Sequence, residues 1–155
     1  MNTGNITLTI LIVFTLNLNA ANVKFNSINA MYGISMRETS SVCSDEQGFI
    51  WVSSKTGILR LTDDDYRLYR LPYRTADIIT VKLVYKKSVL LAYTNNGQFF
   101  GYNEKYDRFD FLFDMRQPLN TIELWIINVL VENQDTFWIT SNMGFYKYHD
   151  GNLHA

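Results

Sequence analysis

"DEQGFIWVSSKTGILRL", residues 45–61, sets a Trp inside an apolar run, follows it with small polar residues and a Gly, and then returns to apolar residues. Two later stretches repeat the plan: "SVLLAYTNNGQFFGY" (88–102) and "DTFWITSNMGFYKY" (135–148). Aligned on Gly57, Gly97 and Gly144, the residues six places earlier are Trp51, Leu91 and Trp138. The units are therefore spaced by 40 and then 47 residues (97 − 57 and 144 − 97), a period of the kind that marks propeller blades and other arrays.

Each unit is readable as a meander of strands. "FIWV", "VLLAY" and "TFWIT" are almost wholly apolar and rich in β-formers, which predicts strands covered on both faces. "SSKTG", "TNNG" and "SNMG" are tight turns in which Gly supplies the positive φ. "ILRL", "QFFGY" and "FYKY" are the returning strands. Upstream, "SSVCS", "ITVKLVY" and "WIINVLVE" supply an inner strand, and "YRLYRL" and "RFDFLF" a fourth strand in the first two units. Sheets that are apolar on both sides must stack on copies of themselves, and radial stacking of twisted four-stranded sheets makes a β-propeller. The expected fold is thus all-β: an incomplete propeller of about three four-stranded antiparallel blades, over residues 29–73, 77–114 and 122–155. Trp51 and Trp138 are expected to pack between blades.

The rest of the chain narrows the function classes. It has 155 residues, 47 % apolar and 19 % charged, with a net charge of −1. Such balance gives no electrostatic reason to expect nucleic acid as a partner. The single cysteine, Cys43, excludes an internal disulfide. We read it as a small strand residue; the rival reading is a nucleophile paired with His149 or His154. Asp63, Asp64 and Asp65 form an acidic triplet that suggests calcium, but they fall where every unit has a polar turn, and a solvated hairpin is the better reading. No metal, cofactor or catalytic residue is assigned. A propeller glycosidase needs two carboxylates held across one cleft, whereas the acidic residues here are scattered through turns.

No charged residue precedes Lys24, and residues 6–18 are mostly apolar, ending near Ala20 and Ala21. This reads as a secretory signal peptide over residues 1–21, with an uncleaved anchor of the same topology as the alternative. The mature chain is then exported.

The stretch "MYGISMRETSSVCSDEQGFIWVSSKTGILRL" resembles the start of the periplasmic sensor region of bacterial hybrid two-component histidine kinases, with their propeller repeats. Asp45, Gly48, Ile50, Trp51, Ser53, Ser54, Gly57, Ile58 and Leu59 carry the pattern, and Trp138, Ile139, Thr140, Ser141, Gly144, Phe145 and Tyr146 carry it again. The middle unit departs from it, with Leu91 where Trp is usual. The resemblance implies a periplasmic, glycan-sensing module, with an oligosaccharide ligand and further propeller blades as partners. It also implies membrane anchoring and homodimerisation in the full-length relative. The kinase parts are absent, so this chain is expected to be an N-terminal fragment or a truncated gene product, with "VKFNSI" (23–28) belonging to the last blade of a complete ring. A non-enzymatic structural or interaction propeller is the alternative. The ligand-contacting residues are not identified; candidate loops are "RETS" (37–40), "PYRTAD" (72–77) and "MRQPLN" (115–120).

Overall fold

A computed structural model of the chain describes residues 39–62 and 65–155. The leader at 1–21, the segment at 23–28, Arg37, Glu38, Asp63 and Asp64 lie outside the described residues.

The described chain folds into three four-stranded antiparallel sheets. Sheet one holds β1 (Thr39–Ser44), β2 (Ile50–Ser54), β3 (Gly57–Leu61) and β4 (Tyr66–Tyr69). Sheet two holds β5 (Val81–Lys86), β6 (Val89–Thr94), β7 (Gln98–Asn103) and β8 (Arg108–Asp114). Sheet three holds β9 (Ile126–Asn133), β10 (Thr136–Ser141), β11 (Gly144–His149) and β12 (Asn152–His154). Each sheet is a sequential meander, the layout of a propeller blade. The chain is an incomplete β-propeller of three blades. The short β12 is the fourth strand of the third unit; it pairs with β11 through Tyr148–Leu153 and His149–Asn152. The single helical turn, α1 (Arg116–Leu119), lies in the connection from sheet two to sheet three. Among the described residues no helix is long and apolar enough to cross a membrane.

The turns after each second strand share a hydroxyl clamp. Ser54, Thr94 and Ser141 end β2, β6 and β10, and their hydroxyl oxygens lie 3.3, 3.5 and 3.4 Å from the carbonyl oxygens of Gly57, Gln98 and Gly144. Gly57 is required on two counts. Its φ is +154°, and a Cβ there would stand 2.5 Å from the Tyr69 carbonyl oxygen of β4. A second device sits one residue on. Asn95 Oδ1 accepts from the backbone N–H groups of Ile79 and Thr80, and Asn142 Oδ1 from that of Trp125. Each Asn thus pins the chain as it enters its own sheet.

Two cores lie between the sheets. Between sheets one and two, Trp51, Ile58, Tyr69, Val81, Leu83, Leu90, Ala92, Phe100 and Phe109 are buried together. Between sheets two and three, Leu91, Tyr93, Phe99, Met115, Val129, Val131, Phe137, Ile139 and Tyr146 are buried together. Leu91, where Trp is usual, needs no indole. An aromatic stack occupies that seam instead, with Phe113 on Phe99 at 4.4 Å and on Tyr148 at 3.9 Å, and Tyr148 on Phe137 at 5.5 Å.

Only the middle sheet is covered on both sides by described residues. This corrects two expectations. Among the described residues the strand "TFWIT" is not covered on both faces, because sheet three has one described neighbour; on the outward face of sheet one Leu59 and Leu61 are nonetheless 1 % and 6 % exposed. Trp138 does not pack between described blades. It occupies the same position as Trp51, but its side of sheet three faces away from sheet two, where Leu130 and Phe145 are 52 % and 58 % exposed.

The two indoles should therefore differ in energetic weight. Trp51, 1 % exposed, loses a full core contact on truncation, so Trp51→Ala is expected to lower unfolding free energy by about 3–5 kcal/mol. Trp138→Ala in the same urea titration of this chain should cost about 1 kcal/mol or less.

Candidate functional site

The turns β1–β2, β5–β6 and β7–β8 lie at one end of the sheets, and a cleft of about 420 Å³ opens there between sheets one and two. Phe49, Trp51, Tyr85 and Tyr102 line it, with Asp45, Glu46, Gln47, Glu104 and Asp107 as its acidic and amide groups and Arg60 as its cation. The aromatic rings come from strands or strand ends, which fix them. The polar groups come from turns, which set them at the mouth.

The deep side of the cleft is a closed network. Trp51 Nε1 donates to Asp45 Oδ2 at 2.7 Å. The Arg60 guanidinium lies over the Phe49 and Trp51 rings at 4.9 and 5.5 Å. Arg60 also donates to the Tyr102 hydroxyl at 3.1 Å and reaches Asp107 at 3.5 Å. Tyr69 and Tyr102 each donate to Asp107 Oδ1 at 2.6 Å, and Arg67 pairs with the other carboxylate oxygen. Asp107, from sheet two, thus gathers two tyrosine hydroxyls and two guanidinium groups, three of these four from sheet one. Burial acts to raise its pKa, but the hydroxyls of Tyr102 and Tyr69 and the charges of Arg60 and Arg67 outweigh that, leaving it below the usual 3.8. Burial, reinforced by the bond to Asp107, drives the Tyr69 and Tyr102 hydroxyls upward, so both stay protonated as donors.

The mouth retains acceptor capacity. Glu46 accepts one bond, from Ser88 at 3.1 Å, and Glu104 one, from Gln47 at 3.3 Å. A carboxylate has about four lone-pair sites, so both can accept further hydroxyl donors beside an aromatic wall.

The loops named from the sequence lie at the opposite end. Two of them meet: Arg116 Nη2 donates to Thr75 Oγ1 at 3.2 Å. Gln98 and Asn96 donate to the same oxygen at 2.9 and 3.2 Å. Arg116 also forks onto Asp114 at 3.1 and 2.7 Å, and that hydrogen bond first of all holds its pKa above the ordinary value. These groups satisfy one another, and the depression they border is a shallow shelf. Of the remaining loop, Thr39 and Ser40 begin β1.

The repeat positions are distributed by role. Trp51 and Leu91 face the following sheet, Trp138 faces outward, and Gly57, Gly97 and Gly144 sit at the turns between second and third strands. Cys43 is on sheet one and both histidines on sheet three, so the structure does not bring them together. Burial, then the neighbouring Asp45 charge, pushes the Cys43 thiol up to about 11, away from nucleophilic chemistry. Among the described residues no group of three His, Cys, Asp or Glu is arranged to hold a metal ion.

The cleft residues escaped notice in the sequence, although a signal existed. An acid lies six places before each of the two repeat tryptophans, Trp51 and Trp138 (Asp45, Glu132), and a base nine places after it (Arg60, Lys147).

No family model matches the chain, and no curated protein does. Several solved structures resemble it, among them two extracellular domains. One is the extracellular domain of a protein described as a hybrid two-component system of B. thetaiotaomicron: TM-score 0.62, 16 % identity, covering 84 % of this chain and 20 % of that one. The other is the extracellular domain of a protein described as a one-component system of the same organism: TM-score 0.56, 18 % identity, covering 81 % of this chain and 19 % of that one. The chain has the fold of part of these extracellular domains and spans about a fifth of their length.

Asp107 has a testable pH signature. A carboxyl held below its ordinary value stabilises the fold above that value, and the contribution fades as pH falls through the folded pKa. Asp107→Asn should thus cost about 1–2 kcal/mol near neutral pH, allowing for its partial exposure. The gap between the two proteins in urea titrations should close below about pH 4.

Proposed function

We propose that this chain is the extracytoplasmic sensor portion of a longer hybrid two-component histidine kinase, and that it recognises a glycan-derived ligand. The observation that carries the reading is the shared fold, over more than four-fifths of the chain, with the extracellular domains of one protein described as a hybrid two-component system and one described as a one-component system. The apolar stretch at 6–18 supports export, and signalling would run through parts outside this chain. The cleft between sheets one and two supports the ligand class. Glu46, Gln47 and Glu104 offer acceptors and an amide to sugar hydroxyls, and Phe49 and Tyr85 offer apolar walls to ring faces. The acidic mouth favours a neutral oligosaccharide over a uronate or sulfated one, since like charges repel across a partly desolvated cleft.

The test is calorimetric titration of the chain, produced without residues 1–21, with neutral and uronate-containing oligosaccharides of several linkages. A neutral oligosaccharide is expected to bind. Gln47→Ala with Glu104→Ala should weaken it at least tenfold while leaving the thermal midpoint unchanged. Residues 1–21 fused to alkaline phosphatase should yield active enzyme, which forms only outside the cytoplasm. Binding by none of the sugars would favour a purely structural segment, and an inactive fusion would remove the export reading.

A further inference from the structure

We propose that the outward face of sheet three is the seat of a further four-stranded sheet. That sheet would bring an aromatic hydroxyl onto Trp138 and, at the residue just before its own fourth strand, a carboxylate between Lys147 and His154. This rests on the reading that the chain is part of a longer propeller and states the chemistry of what comes next.

The argument is internal to the molecule. Units one and three match at a constant offset of 87 residues (138 − 51) without a gap, and the matched side chains do the same things. Trp51 Nε1 is bound by Asp45, and Trp138 Nε1 by Glu132 at 2.6 Å. Arg60 lies over the first indole and Lys147 over the second, at 4.9 Å. The Ser53 hydroxyl oxygen lies 3.5 Å from the Ser41 carbonyl oxygen, and that of Thr140 lies 3.4 Å from the Asn128 carbonyl oxygen. Arg67, the second cation on Asp107, corresponds to His154.

What differs is the cover. On sheet one, sheet two supplies Tyr102, 4.9 Å from the Trp51 ring, and Asp107, the residue before β8, which takes both Arg60 and Arg67. Its innermost strand accepts the Ser53 hydroxyl at the Val81 carbonyl, at 2.5 Å. On sheet three, among the described residues, no carboxylate stands in ion-pair reach of Lys147 or His154. Two basic positions, an indole and a hydroxyl therefore wait in the arrangement that elsewhere receives a sheet. A second copy of this chain offering the outward face of sheet one is the poorer occupant, because Leu59 and Leu61 there are already 1 % and 6 % exposed.

The test extends the full chain at its C-terminus with a second copy of residues 69–115, the connection and unit that cover Trp51. Tryptophans are labelled with 5-fluorotryptophan, and the Trp138 resonance is assigned by its loss in Trp138→Phe. In the extended chain the Trp138 signal should lose its solvent-isotope shift at every concentration. Asp107→Lys in the appended copy should bring the shift back, and adding Lys147→Glu should remove it again. The proposal is overturned if Trp138 stays solvent-exposed in the extended chain, or if the appended unit adds no β signal by circular dichroism. Protection that rises with concentration in the unextended chain would also overturn it, in favour of self-association. None of these outcomes depends on sugar binding or export, so the sensor reading stands or falls separately.

Discussion

The β6 strand runs Val89–Thr94 with five of its six residues buried and none exposed, and a strand of that kind has no place at a surface. Its sheet must be flanked twice, and everything else in the chain follows from supplying the flanks. Sheet one and sheet three each turn one apolar face inward, and β10 keeps the two-residue alternation of a half-covered strand, with Phe137, Ile139 and Ser141 buried and Trp138 and Thr140 between them less so. The turns are short because the strands are already committed to sequential pairing. The connections between sheets carry the irregular chemistry, and Asn95 and Asn142 fasten them to the sheets they enter.

The two seams are built from different materials. Between sheets two and three the contact is stacked rings and aliphatic chains, Phe99, Phe113, Tyr148 and Phe137 in sequence. Between sheets one and two an apolar floor supports a charged rim, in which Asp107 neutralises Arg60, over the Trp51 indole, and Arg67, over the Tyr69 ring. Such a rim is sensitive to geometry, because removing one member leaves the others desolvated and unpaired. It also walls the cleft, so the site offered for a ligand is held by the same side chains that join the sheets.

The architecture was largely legible in the sequence, because the Trp-to-Gly distance and the apolar runs are local signals. Strand identities and the sequential order within each sheet follow from them. Trp138 was not legible: a residue type says that it wants cover, and only the neighbours decide whether cover is present. The third strand of the middle unit was also misleading. Aligning on glycine equates Gly97 with Gly57, but β3 begins at Gly57 whereas β7 begins at Gln98. Leu91 consequently pairs with Gly101, while Trp51 pairs with Arg60. One extra turn residue reverses which side chains look each way. The cleft was hidden for another reason. Asp45, Arg60, Tyr102 and Asp107 span two units, and no local pattern states that Asp107 will meet cations from the preceding sheet.

The predominantly apolar character of the second seam has a thermal corollary. Apolar contacts lose driving force as water cools, whereas ion pairs and charge-assisted hydrogen bonds do not share that weakness. Chilling should therefore loosen the junction of sheets two and three before that of sheets one and two. The chain has a built-in fault line, and its first cold-induced opening would release sheet three as a unit rather than fray the molecule from its N-terminal side.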